Sequence, residues 1–134
     1  MTFRRTFSGA PWEDRVGYCR ALRAGNTIYV TGTAPVDPDG GVHAPGEGYP
    51  QTVRCIEIIR DALEKLGASL SDVVRTRLFV TDIARWEEFA RGHREAFGEH
   101  PPTTAMVEVR SLIHPDMLIE IEAEAVLLPE ASRD

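Results

Sequence analysis

The sequence predicts an α+β domain: a mixed sheet with two helices on one face, in the order β-β-β-α-β-α-β-β. Three observations predict it. Runs with period-2 alternation recur along the chain, whereas only two stretches place apolar residues at helical spacing. Two helices are too few to cover both faces of such a sheet. Near the C-terminus one run alternates so strictly that it assigns its own faces. Ile119, Ile121, Ala123 and Ala125 take one side, and Glu120, Glu122 and Glu124 the other.

Residues 3–7 alternate and read as an edge strand whose arginines face solvent, and residues 9–14 read as a loop. Residues 18–23 (YCRALR) alternate, Ala24-Gly25-Asn26 marks a turn, and residues 27–31 (TIYVT) are rich in β-branched and aromatic side chains. Together they predict a hairpin. Gly32 follows directly, where a missing Cβ allows a close backbone approach. Residues 35–50 are punctuation, a loop or a minor hairpin. Cys55, Ile56, Ile59, Leu63 and Leu66 then predict an amphipathic helix over 52–66, ended by Gly67.

The strand over 73–80 places Val74, Thr76, Leu78 and Val80 on one face and Val73, Arg75, Arg77 and Phe79 on the other. Asp82 caps a second helix with the stripe Trp86, Phe89, Ala90, His93 and Phe97. Gly98 closes it, and Pro101-Pro102 forbid its continuation. Two strands within 103–128 flank a break at Ile113-His114-Pro115-Asp116. The whole resembles a ferredoxin-like layer.

Stacked carboxylates repel, so the glutamate face of the last strand meets water, cations or a site that uses a carboxylate. Arg75 and Arg77 share that face with Val73 and Phe79, and Met106 joins them if Thr104, Met106, Glu108 and Arg110 register there. A half-apolar, charge-paired face suits an interface between copies of the chain.

The totals narrow the function. At 134 residues the chain reads as one domain, 1–134, with an ordinary hydrophobic fraction of 43%. A net charge of -6 argues against a nucleic-acid partner, which needs a basic surface. No run approaches a membrane span, and the N-terminus lacks the apolar core of a signal peptide. Cys19 and Cys55 stand in no CxxC spacing and read as reduced thiols of a cytoplasmic protein. The four histidines form no metal motif, and Gly46-Glu47-Gly48 is a turn rather than a phosphate cradle. His93, on an apolar stripe, reads as a hydrogen-bonded core or interface residue.

Two side chains keep a chemical reading. Arg91 lies four residues after Glu87, either an exposed pair or a bidentate anion anchor. Glu120 is either a salt-bridge partner or a carboxylate of raised pKa that positions a water; for Glu122 and Glu124, pairing with Arg75 and Arg77 is the better reading.

Nearly the whole chain resembles the Rid family of reactive-intermediate deaminases, also called YjgF-like or L-PSP proteins. The matching pieces are GYCRALRAGNTIYVTGTAPV, LGASLSDVVRTRLFVTDI, REAFGEH, PTTAMVEVRSL and LIEIEAEAV, in that order. The resemblance implies a chorismate-mutase-like fold and a homotrimer with three clefts between subunits. It implies hydrolysis of 2-imino or 2-enamino acids to 2-keto acids and ammonia with no cofactor. It assigns the water-positioning glutamate to Glu120 and places Tyr18, Thr31 and Gly32 in the cleft, with Met106 where the family commonly has Cys. The family's carboxylate-binding arginine does not carry over, because Thr104 occupies its position. Losing such a contact costs on the order of 2–5 kcal/mol when the partner is desolvated. Thr104 still offers one neutral hydrogen bond, and Arg91 restores the anion contact from the opposite wall if it lines the cleft.

The first expectation is therefore a trimeric hydrolase of a small imine or enamine that need not carry a free carboxylate. The alternative is a catalytically silent small-molecule-binding or regulatory trimer. An endoribonuclease, an activity attributed to some relatives, comes third, since the acidic charge counts against it.

Overall fold

The computed structural model describes residues 2–129. Its elements are β1 (Arg4–Thr6), α1 (Pro11–Val16), β2 (Ala21–Ala24), β3 (Thr27–Thr33), α2 (Gly48–Lys65), β4 (Val73–Val80), α3 (Trp86–Phe97), β5 (Thr103–Glu108) and β6 (Ile119–Val126). The strands form one mixed sheet in the order β1-β2-β3-β6-β4-β5. Only β4 and β5 run parallel, because α3 carries the chain back across the sheet between them.

The expected α+β arrangement is what the chain adopts, with α2 and α3 packed on one face. The alternation in β6 decides which side is buried. Ile119, Ile121 and Ala125 are fully buried against Cys55, Ile59 and Leu63 of α2, each large side chain contributing roughly 1.5–3 kcal/mol. Gly92 lets α3 close on α2, since a Cβ there would stand 2.8 Å from Thr52 Cγ2. Among the described residues no helix is long and apolar enough to cross a membrane.

Five local expectations are corrected. Residues 11–14, expected as part of a loop over 9–14, instead open α1: Pro11 pre-sets its first turn, and the buried Glu13 accepts from the backbone N–H and hydroxyl of Ser8. Helix α2 starts at Gly48 rather than 52, because the Glu88 carboxylate, held by Arg85, accepts from the Gly48 N–H at 3.0 Å and caps its end. In β4 a register irregularity between Val73 and Arg75 swaps the expected sides, so Val73 is buried and Val74 exposed. Trp86 leaves the apolar stripe and is exposed, since a 3-10 turn over Ile83–Arg85 precedes α3 and moves its first turn off the core. Met106 does not join the glutamate face: Thr104 and Met106 register with Thr76 and Leu78, which face the helices.

Candidate functional site

Strand β6 lies between β3 and β4, so each of its outward glutamates meets a neighbour on both sides. Two find arginines. Glu124 pairs with Arg77 at 3.2 Å and Arg75 at 3.8 Å, and Glu122 with Arg77 at 3.6 Å. These are the cross-strand pairs expected for Glu122 and Glu124, made within one chain.

Glu120 differs. It is opposite Phe79 on β4, and on the other side β3 is irregular between Val30 and Thr33. Gly32 sits in that irregularity, and a Cβ on it would lie 2.5 Å from Glu120 Oε2. The carboxylate therefore rests over bare β3 backbone, in space that any other residue would fill. It is half-buried and has neither hydrogen bond nor ion pair among the described residues. Desolvation raises its pKa above the ordinary carboxylate range, opposed by the Arg20 charge and reinforced by Glu122.

Thr31 anchors the segment entering β2 to β3. Its hydroxyl donates to the Cys19 carbonyl at 2.6 Å, and its N–H donates to the Arg20 carbonyl at 3.0 Å. Arg20 is thereby fixed over the Tyr18 ring, 5.6 Å from its centroid, and its Nη2 donates to the Gly32 carbonyl at 3.1 Å. Beneath this group Cys55 is buried, and desolvation pushes its thiol well above the ordinary range, so it is an un-ionised core residue. The chain thus brings together Tyr18, Thr31, Gly32 and Glu120, with Arg20 linking them.

Thr104 and Met106 stand elsewhere. Thr76 Oγ1 donates to Thr104 Oγ1 at 2.7 Å and lies 2.8 Å from His93 Nε2. Thr76 has one hydroxyl proton, given to Thr104, so it accepts from His93, whose proton is then on Nε2. Burial lowers the His93 pKa and keeps the ring neutral. Among the described residues the Thr104 hydroxyl gives its own proton to no acceptor, and Thr104 is exposed on the edge strand. Thr76 and Phe79 are three residues apart on β4, so their partners Thr104 and Glu120 lie on opposite faces of the sheet.

Arg91 occupies a third place. Its guanidinium covers the Tyr49 ring at 4.0 Å and pairs with Glu95 at 3.6 Å, not with Glu87 as the i, i+4 spacing suggested. His93, two residues on and about 200° around the helix, is the α3 residue that reaches the Thr76–Thr104 pair.

Arg20 escaped the sequence reading. In an alternating run it reads as an outward strand residue, and only the tertiary packing buries it, at 7% exposure. A charge placed between Cys19 and Ala21 directly before the hairpin was the available signal.

Comparison with known proteins agrees with this architecture. The family model for endoribonuclease L-PSP matches residues 10–127. A RutC family protein of Pyrococcus abyssi is 41% identical over 108 residues, covering 81% of this chain and 84% of its own. The 3-aminoacrylate deaminase RutC of Acinetobacter baylyi is 35% identical over 108 residues, covering 81% and 85%. Among solved structures, Rv2704 of Mycobacterium tuberculosis, a member of the YjgF/YER057c/UK114 family, superposes with a TM-score of 0.86 at 42% identity, covering 94% of this chain and all of its own.

Proposed function

Because the chain belongs to the endoribonuclease L-PSP family, which includes the YjgF and Rid proteins, we propose that it hydrolyses a small imine or enamine in clefts between the subunits of a homotrimer. One observation carries this reading: the unpartnered, half-buried Glu120 carboxylate, held over the bare backbone of Gly32. A carboxylate whose pKa is raised by desolvation is a better base than one in water.

In the proposed step Glu120 takes a proton from a water as its oxygen bonds to the C=N carbon and passes that proton to the imine nitrogen, which leaves a neutral carbinolamine and the free carboxylate. The carbinolamine then gives up its hydroxyl proton to Glu120 as the C=O bond forms, and Glu120 hands that proton to the departing nitrogen, which leaves as ammonia with the carboxylate restored. An enamine enters the same route after a proton adds to its carbon and one leaves its nitrogen, which gives the imine. The A. baylyi relative is named for deaminating 3-aminoacrylate, an enamine, which supports this chemistry.

The opposed placement of Thr104 and Glu120 supports a site between copies, since a second chain is what would bring one to the other. Thr104, a neutral donor fixed through Thr76 by His93, would polarise a carbonyl or amide of the substrate. The Thr104 hydroxyl is itself uncharged, so this end of the cleft suits an uncharged group.

The experiment is ammonia release from imines generated in situ, bearing either a carboxylate or an amide. Wild type is expected to release ammonia faster than the uncatalysed control, with Glu120→Ala at the control rate. Equal rates for both proteins would discard the hydrolase reading. Inactivity on every imine, with thermal stabilisation by the substrate analogue, would establish the silent binder instead. A monomer in light scattering would discard the shared cleft.

A further inference from the structure

A second concave region lies away from the Thr104 edge. A cavity of about 420 Å³ opens between the 36–42 hairpin, the start of α1 and the outer side of α2. Its volume is that of a site for a small organic ligand. Trp12, Val42, Ile58 and Met117 contribute apolar wall, and two guanidiniums, Arg20 and Arg54, also line it.

Arg20 is the unusual one. Its side chain is buried, its Nη2 is used by the Gly32 carbonyl, and its Nε has no hydrogen-bond partner among the described residues. Among the described residues no carboxylate pairs with it; Glu120 acts on it only from a distance. An unsatisfied donor on a buried charged group costs free energy, and because the Arg20 guanidinium lies on the cavity wall a ligand carboxylate there would offset its charge. Arg54 donates through Nε to the Val36 carbonyl at 2.7 Å and touches Glu57 only at 3.5 Å.

The other charged groups on the wall limit the ligand. Asp37 is held by His43 at 2.8 Å, and Asp39 accepts from the Gly41 N–H at 2.8 Å. Two arginines against two aspartates leave the cavity near neutral, which tolerates one negative charge and disfavours two. The arginine fork matches a planar carboxylate, and the walls match an apolar body.

We infer that this cavity binds a small monocarboxylate with an aromatic or branched aliphatic body, its carboxylate on Arg20 and Arg54 and its body against Trp12 and Ile58. The site is read by binding rather than turnover, so it stands or falls independently of the hydrolase reading.

Calorimetric titration of the full chain with phenylacetate, phenylacetamide and inorganic phosphate tests it. Phenylacetate is expected to bind on the order of tenfold more tightly than its amide, and phosphate more weakly than either. Arg54→Met, at a partly exposed position, and Arg20→Met are each expected to remove the preference for acid over amide. Trp12→Ala is expected to weaken both ligands equally, and Glu120→Gln, which removes a negative charge near Arg20, to bind phenylacetate no more weakly than wild type whether or not ammonia is released. Equal affinity of acid and amide, tightest binding of phosphate, an acid preference that survives Arg54→Met, or no phenylacetate binding at millimolar concentration would each overturn the assignment.

Discussion

Glu120 and Glu124 stand on the same face of the same strand, four residues apart, and live in opposite environments. At the Glu124 end, Arg75 and Arg77 of β4 reach across and the side chains stay in contact with water. At the Glu120 end, the β4 neighbour is Phe79, and β3 offers a glycine in an irregular register. One carboxylate is paired and wet; the other is unpartnered and partly dry. Position along the strand, rather than residue type, separates a structural ion pair from a candidate base. The first is worth little to stability, since exposed pairs contribute at most about 1 kcal/mol.

The largest expected effect breaks this contrast directly. Glu120→Gln keeps the shape and removes the base, and is expected to lower ammonia release by about 10²–10⁴-fold, the range of general acid–base assistance. Glu124→Gln is expected to leave the rate within about threefold on the same scale. Parallel rate measurements on both variants decide the matter. Comparable losses in the two would mean that the ladder acts as a unit and Glu120 has no separate role.

Gly32→Ala attacks the same difference from the backbone. Its Cβ would sit 2.5 Å from Glu120 Oε2, so the carboxylate must move off the β3 backbone. The far end of a glutamate yields cheaply, so the fold is expected to persist while activity falls by about tenfold or more. A crystal structure of the variant with Glu120 turned away, together with that loss, would sharpen the assignment. Full activity would show that the placement over Gly32 is incidental.

The Glu120–Glu124 alternation was legible in the sequence because period 2 leaves strand side chains no other choice. So were α2 and the Phe89, His93 and Phe97 part of the α3 stripe, where burial follows helical spacing. What was not legible depends on contacts between distant residues. The start of α2 needs Glu88, forty residues away, and α1 needs the Ser8–Glu13 bond. The side swap in β4 needs an irregularity that no local residue announces. The site divides the same way. Glu120 and Gly32 were found by resemblance and Thr104 by its departure from it, but their separation by the sheet follows only from the parallel register of β5 on β4. Arg20 was invisible because an arginine beside a strand is normally exposed, and here packing encloses it.

Arg20 makes the two ends of β6 differ in pH response. Its charge is what holds the Glu120 pKa down against desolvation. In the proposed reaction ammonia release needs the ionised carboxylate, so the rate is expected to rise with pH through the Glu120 pKa. Arg20→Met removes the opposing charge, and the acid limb of its pH–rate profile is expected to move to higher pH. An unmoved limb, or one displaced to lower pH, would show that Arg20 does not set the acidity of this carboxylate.

The smallest effects concern stability, and they should have opposite signs. Folded Glu120 holds its proton more tightly than the unfolded chain, in which glutamate titrates near about 4.3. The native state therefore binds more protons across the window above that value, and the Glu120 contribution to stability declines as pH rises through the raised pKa. Glu120→Gln removes that decline, so its unfolding free energy relative to wild type is expected to improve as pH rises through the raised pKa and to level off above it. Glu124→Gln instead deletes an attraction to Arg75 and Arg77, costing up to about 1 kcal/mol at neutral pH and less in high salt. Chemical denaturation of both variants at several pH values measures the two slopes together. If Glu120→Gln lost stability at pH 7 as Glu124→Gln does, the carboxylate at position 120 would have to be paired after all, and the distinction between the two ends of β6 would vanish.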